Sequence, residues 1–186
     1  MRKTTLAFAL AALLLFAVDV HPATLNGITM PDTVQARGIP LVLNGMGLRT
    51  RFGFKIYVAG LYLQQKSADP DAIINADAPK RILMQFTRGV SKSQMTEAFN
   101  HGFDNSPPGA RDALKAEIDR FLGQLDTVHE GDQMMFTYLP GTDTNFLMNG
   151  GEKLAIPGLP FGRLLFSVWL GPRPAAPEVK KGLLGQ

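Results

Sequence analysis

A chain of 186 residues, 45% hydrophobic and 19% charged, has the apolar content of one folded domain and not of a disordered segment. Its 19 Lys and Arg against 16 Asp and Glu leave a net charge of +3 that is not clustered, so the pI of 9.3 gives no argument for nucleic acid. The absence of cysteine excludes disulfides, thiolate zinc sites, iron–sulfur clusters and a cysteine nucleophile, and three histidines are too few for a histidine-rich metal site.

Arg2 and Lys3 open the chain and precede an apolar run from Leu6 to Val18. Asp19, His21 and Pro22 end that run, which is shorter than the roughly 20 residues of a membrane-spanning helix. The pattern is that of a secretory signal peptide over residues 1–23, with a periplasmic or secreted protein as the outcome; an uncleaved anchor is the alternative. Residues 24–186 then read as a single domain. They contain no second long apolar run, and no stable membrane insertion is expected after cleavage.

Thr33–Ala36 and Pro40–Leu43 are expected as strands, with Asn44, Gly45 and Gly47 supplying a turn or bulge. Thr50–Leu63 is dense in aromatic and β-branched residues and reads as one strand, apolar on both faces and so covered on both sides. Asp69-Pro70-Asp71 starts a short helix, and Arg81–Thr87 is the next strand. Ser91 with Gln94 forms a capping box that opens a helix to about Phe103, whose apolar stripe is Met95, Phe99 and Phe103. After the NSPPG turn at 105–109, a second helix is expected from about Ala110 to Leu125. Gln133–Leu139, Asn145–Met148 and Lys153–Ile156 read as strands, the last two joined by an Asn149-Gly150 hairpin turn. Helices follow from Pro160 to Gly171 and from Pro177 to Leu184. Strands, a helix pair, strands and helix make an α+β arrangement, with helices on one face of an antiparallel sheet.

No phosphate-binding loop, nucleophile elbow or zinc-protease motif is present. Gly45 and Gly47 form G-x-G, but Thr50 stands where a third glycine is needed. His101 and His129 have no nucleophile or ligand set beside them and read as exposed structural residues. No cofactor and no metal is expected. The unusual segment is the entry to the Thr50–Leu63 strand. In a regular strand, Arg49, Arg51, Lys55 and Tyr57 share one side. Several cations on one layer are costly to desolvate unless an anion or water meets them. One reading is an apolar pocket closed by a guanidinium and suited to a carboxylate or oxyanion. The other is that Arg49 and Arg51 are rim residues paired with nearby acids.

Two stretches carry a family resemblance. L-x-L-N-G-M-G-L-R-T at 41–50 with F-K-I-Y-V-A-G-L-Y-L at 54–63 resembles the opening strands of the chalcone isomerase superfamily, and most of all its bacterial chalcone isomerase-like branch. L-L-F-S-V-W-L-G-P-R-P at 164–174, then K-K-G-L-L-G at 180–185, resembles the C-terminal helix and tail of that branch. The resemblance implies an open-faced β-sandwich with the ligand cleft between sheet and helices. It covers roughly residues 30–186.

In that superfamily some members close a chalcone into a flavanone, and others bind fatty acids without known catalysis. The resemblance assigns Arg49 to an arginine used by both, holding a phenolate or enolate oxygen in the enzymes and a carboxylate in the binders. A threonine of the enzymes aligns with Tyr57, which still offers a hydroxyl. An asparagine on the first helix aligns with Asn100, but its tyrosine companion falls at Ser93 and a later hydroxyl residue at about Gly162. Two functions therefore stay open. The favoured one is a non-catalytic exported binder of a small apolar or amphipathic anion, such as a fatty acid, held by Arg49, Arg51, Tyr57, Met95 and Phe99. The alternative is an intramolecular lyase of the chalcone type using Arg49, Tyr57 and Asn100. A cell-envelope interaction module without a small ligand is a third option.

Overall fold

Among the described residues, the main sheet has seven strands, paired in the order in which they occur in the chain. The computed structural model describes residues 23–186, so the apolar run read as a signal peptide lies outside the described residues. A small hairpin comes first, β1 (Ala23–Leu25) with β2 (Ile28–Met30). The antiparallel meander follows as β3 (Thr33–Ala36), β4 (Ile39–Arg51), β5 (Phe54–Leu63), β6 (Lys80–Phe86), β7 (Gln133–Tyr138), β8 (Asp143–Met148) and β9 (Gly151–Pro157). Helix α1 (Pro70–Asn75) joins β5 to β6. Helices α2 (Lys92–Asp104), α3 (Ala110–Ala113) and α4 (Lys115–Gly123) join β6 to β7, and α5 (Leu159–Leu170) and α6 (Pro177–Leu183) follow β9. This is the expected α+β order.

Among the described residues, four hairpins turn in two residues, both with positive φ: Asn26-Gly27, Arg37-Gly38, Phe52-Gly53 and Asn149-Gly150. Positive φ at both central residues is the signature of the turn whose twist matches paired strands, and asparagine and glycine adopt it most cheaply. Asn149-Gly150 was legible on that ground. Phe52-Gly53 was not, and it corrects the expectation of one strand over Thr50–Leu63: residues 50–51 end β4, and β5 begins at Phe54.

The expected turn at 44–47 is corrected as well. β4 runs through it as one 13-residue strand with a register shift between Leu43 and Gly45. The glycines serve packing there, because α6 lies directly on this strand. A Cβ on Gly45 would meet the Gly182 carbonyl oxygen at 2.2 Å, and one on Gly182 would meet the Met46 carbonyl oxygen at 2.2 Å. Buried Asn44 ties the contact down. Its Nδ2 donates to the Leu183 and Ser67 carbonyls at 2.7 and 2.9 Å, and its Oδ1 accepts from the Ser67 amide at 2.7 Å.

The helix-facing side of the sheet holds the larger core. Phe99 of α2, Phe121 of α4, Phe136 of β7, Phe146 of β8 and Trp169 of α5 pack ring against ring there. The Phe99–Phe121 centroids are 4.8 Å apart and those of Phe136–Phe146 are 5.1 Å apart. The opposite face has a smaller core in which Leu41, Leu43, Val58 and Tyr62 meet Ile28 and Met30 of the first hairpin. The Tyr62 hydroxyl donates to the Pro31 carbonyl at 3.0 Å. β5 is thus covered on both faces, as its composition implied. The helix expected over 110–125 is broken at Leu114, whose φ of −119° interrupts the turn between α3 and α4.

Candidate functional site

At the end of the sheet where the β4–β5 hairpin projects, the helix layer does not close completely. The capping box holds the start of α2 in place: the Ser91 hydroxyl accepts from the Gln94 amide, and Gln94 Oε1 accepts from the Ser91 amide at 3.0 Å. Met95 and Phe99 then follow at the helical spacing that turns both toward the sheet. Beneath them the register aligns Arg49 with Tyr57 and Tyr57 with Phe86, one row across three strands. A cavity of about 400 Å³ lies between these surfaces. Its floor includes Tyr57, Met84 and Phe86, its helical wall Met95, Phe99, Val168 and Trp169, and its mouth Arg49, Arg51, Phe52, Phe54 and Arg88. The volume falls in the roughly 300–1,000 Å³ range of small-molecule sites, and the lining is apolar with a few polar groups, the usual makeup of such sites.

Five of the residues expected from the sequence line this one cavity: Arg49, Arg51, Tyr57, Met95 and Phe99. Asn100 does not. Its Oδ1 and its carbonyl accept from the Arg111 guanidinium at 2.8 and 3.1 Å, on the side of α2 away from the cavity lining. Lys55 departs from the expected row for a backbone reason. The register shifts between Arg49 and Thr50, so Lys55 pairs with Thr50 while Ile56 and Tyr57 join the cavity lining.

The polar lining comprises Arg49 and Tyr57 together with Arg51, Arg88, Gln94 and Glu97. Arg49 Nη1 donates to Glu178 Oε1 of α6 at 3.1 Å, with side-chain exposures of 24% and 46%, so the rim reading and the pocket reading both describe this arginine. Among the described residues this is the one hydrogen bond of its guanidinium, which carries five donors. Deeper in, the Tyr57 hydroxyl accepts from Trp169 Nε1 at 3.2 Å. Burial pushes the Tyr57 hydroxyl above its ordinary pKa against the opposing pull of Trp169 and Arg49, so it stays protonated and can donate. A guanidinium and a phenol donor above an apolar floor suit an anionic head on an apolar body.

The sequence pattern missed the contribution of Trp169, whose indole orients Tyr57 from a helix 112 positions away. It also missed Phe52, which a strand over Thr50–Leu63 hides as strand interior, and Arg88, which reaches the mouth from the bend after β6.

A family model described as chalcone isomerase-like matches residues 22–185. Among solved structures, the chain is similar to a fatty-acid binding protein from Arabidopsis thaliana. The TM-score is 0.65 and the identity 15%, over 85% of this chain and 92% of that one. At that identity the likeness speaks for the fold, an antiparallel sheet with a helical layer. No curated protein sequence matches the chain. With nearly the whole described chain inside the family model, this protein belongs to the chalcone isomerase-like family.

Proposed function

We propose that this protein is an exported, non-catalytic binder of an apolar anion such as a fatty acid, held between the sheet and the helices with its carboxylate at Arg49. The observation that carries the reading is the cavity itself, an apolar space of about 400 Å³ with cations at its mouth. The fold shared with a fatty-acid binding protein is consistent with it. Apolar contact supplies most of the affinity: at roughly 0.8 kcal/mol per methylene, a dodecyl chain contributes about 9 kcal/mol before the cost of association. The carboxylate adds roughly 1.5–3 kcal/mol through charge-assisted hydrogen bonds and sets the direction of entry. Export rests on the basic start and the apolar run at 6–18, and cell fractionation with N-terminal sequencing tests it.

The lyase reading has less support. Asn100 is committed to Arg111. At Gly162 a Cβ would meet the Tyr138 ring at 2.9 Å and the Thr144 hydroxyl at 3.0 Å, so the site for a second hydroxyl is filled by packing.

Native mass spectrometry of the protein, purified without delipidation, is expected to show a bound acyl anion. In calorimetry with dodecanoate, Arg49→Ala is expected to bind roughly ten- to hundredfold more weakly. A wild-type protein that carries no acyl anion and retains no added dodecanoate refutes the reading. Turnover of a chalcone that is lost in Arg49→Ala would replace it with the lyase.

A further inference from the structure

Among the described residues, the exposed large hydrophobic side chains are Phe52, 85% exposed, and Phe54, 59% exposed, and both sit at the tip of the β4–β5 hairpin. Isolated apolar residues on a surface need no explanation, but these two are neighbours in a cationic setting. Arg51 lies over the Phe52 ring at 5.2 Å and Arg88 over the Phe54 ring at 4.4 Å, with exposed Lys55 beside them. Among the described residues none of Arg51, Lys55 and Arg88 forms a salt bridge.

Phe52 also occupies a backbone position that does not suit it. Its φ is +52°, and the equivalent place in two of the other three two-residue turns is held by Asn26 and Asn149. A bulky side chain is an outlier in that conformation, where asparagine is tolerated. This phenylalanine is thus exposed to water, outside the core and in a strained backbone.

We propose that the β4–β5 tip is a membrane-docking element that inserts Phe52 and Phe54 into the interface of an anionic lipid bilayer, with Arg51, Lys55 and Arg88 at the headgroups. The size of the tip selects this partner. A two-residue turn is far smaller than the roughly 800 Å² per side of a stable protein interface, whereas a bilayer accepts a single aromatic wedge flanked by snorkelling cations. Charge complementarity selects anionic lipid. Four of the five residues, all but Lys55, also line the cavity mouth, so docking presents the opening to the membrane. The use of the contact for loading the cavity rests on the function proposed above; the contact itself does not.

The chain has no cysteine, so a single introduced thiol can carry an environment-sensitive fluorophore without ambiguity. Thr50→Cys places the label on the exposed shoulder of the tip, and Glu152→Cys places it on exposed β9 as a remote control. With phosphatidylglycerol–phosphatidylcholine vesicles at low salt, the label at position 50 is expected to shift to the blue, and the label at 152 is not. Pure phosphatidylcholine or high salt should abolish the shift. In the Thr50→Cys background, Lys55→Gln should weaken the vesicle affinity roughly fivefold. Phe52→Asn should weaken it further without lowering the thermal midpoint, since asparagine suits the turn.

No shift at position 50, equal shifts at both labels, or variants that behave as wild type each overturn the proposal. Dodecanoate binding is measured in solution on the wild type and Lys55→Gln. Binding without docking refutes the membrane contact alone. Docking without binding refutes the ligand reading alone.

Discussion

Two cations lie between the sheet and the helices, and their surroundings differ. Lys80, at the start of β6, is 1% exposed. Its Nζ donates to the carbonyls of Ile73, Ile74 and Ala76 at 2.8, 3.2 and 2.7 Å, closing the C-terminal end of α1. The rings of Tyr138 and Phe166 lie 5.2 and 5.8 Å from it. An ammonium has three donors, and all three are used by the protein's own backbone. Arg49, at the open end, gives one hydrogen bond to a half-exposed carboxylate and faces the cavity mouth. A cation whose donors are exhausted by its own chain holds the fold together. One with donors to spare above an apolar space is equipped for an anion from outside. Charge alone does not separate the two; burial and the count of satisfied donors do.

The largest test removes what both ends share. Phe136 is fully buried and stacks on Phe146 midway along the layer. Phe136→Ala is expected to cost about 3–5 kcal/mol in urea unfolding and to loosen the closed end and the cavity together. If ligand binding survives that change intact, the two ends are more independent than their shared aromatic core implies.

Lys80→Met sharpens the contrast. It leaves the α1 carbonyls without their donor and is expected to cost about 1–3 kcal/mol of stability, with dodecanoate binding unchanged. The pH dependence carries a sign. Burial, with Arg163 adding to it, pulls Lys80 from 10.5 down to about 8. Between those values the unfolded chain binds the proton and the folded chain does not, so stability rises with pH. Tyr62 and Tyr138, both pushed by burial to about 12, work the other way, but only above their ordinary value of 10.0. Wild-type stability should therefore climb from about pH 8 to pH 10 and then turn over, and Lys80→Met should lack the climb.

The smallest effect is expected at the open end. Glu178→Gln removes an exposed ion pair and should change stability by less than about 1 kcal/mol. Calorimetry should find dodecanoate bound a few times more tightly, because the carboxylate competing for Arg49 is gone. Weaker binding would mean that Glu178 orients the guanidinium and does not compete with the ligand.

Local signals were legible where a residue type answers a local need. Ser91 and Gln94 cap α2, Asp69 Oδ1 accepts from the Asp71 and Ala72 amides at 3.0 Å, and Asn149-Gly150 turns a hairpin. Met95 and Phe99 read as an apolar stripe and are one. The misreadings arose where a residue answers a distant need. Gly45 and Gly47 look like turn glycines in sequence, but they are flat because α6, more than 130 positions later, rests on them. Phe52 hides a hairpin because phenylalanine is not a turn former. Asn100 sits on the right helix but is committed to Arg111 on a side that no local pattern reveals.

The sequence by itself determined the α+β class, most of the element types, the apolar faces and the candidacy of Arg49, since periodicity, capping and a cation beside an apolar run are short-range facts. Only the tertiary structure decided that Arg49, Tyr57, Met95 and Phe99 border one cavity and that Asn100 does not. A cavity is the space that packing leaves between elements, and its place depends on strand register and helix seating. Both are settled by contacts between residues that lie far apart in the chain.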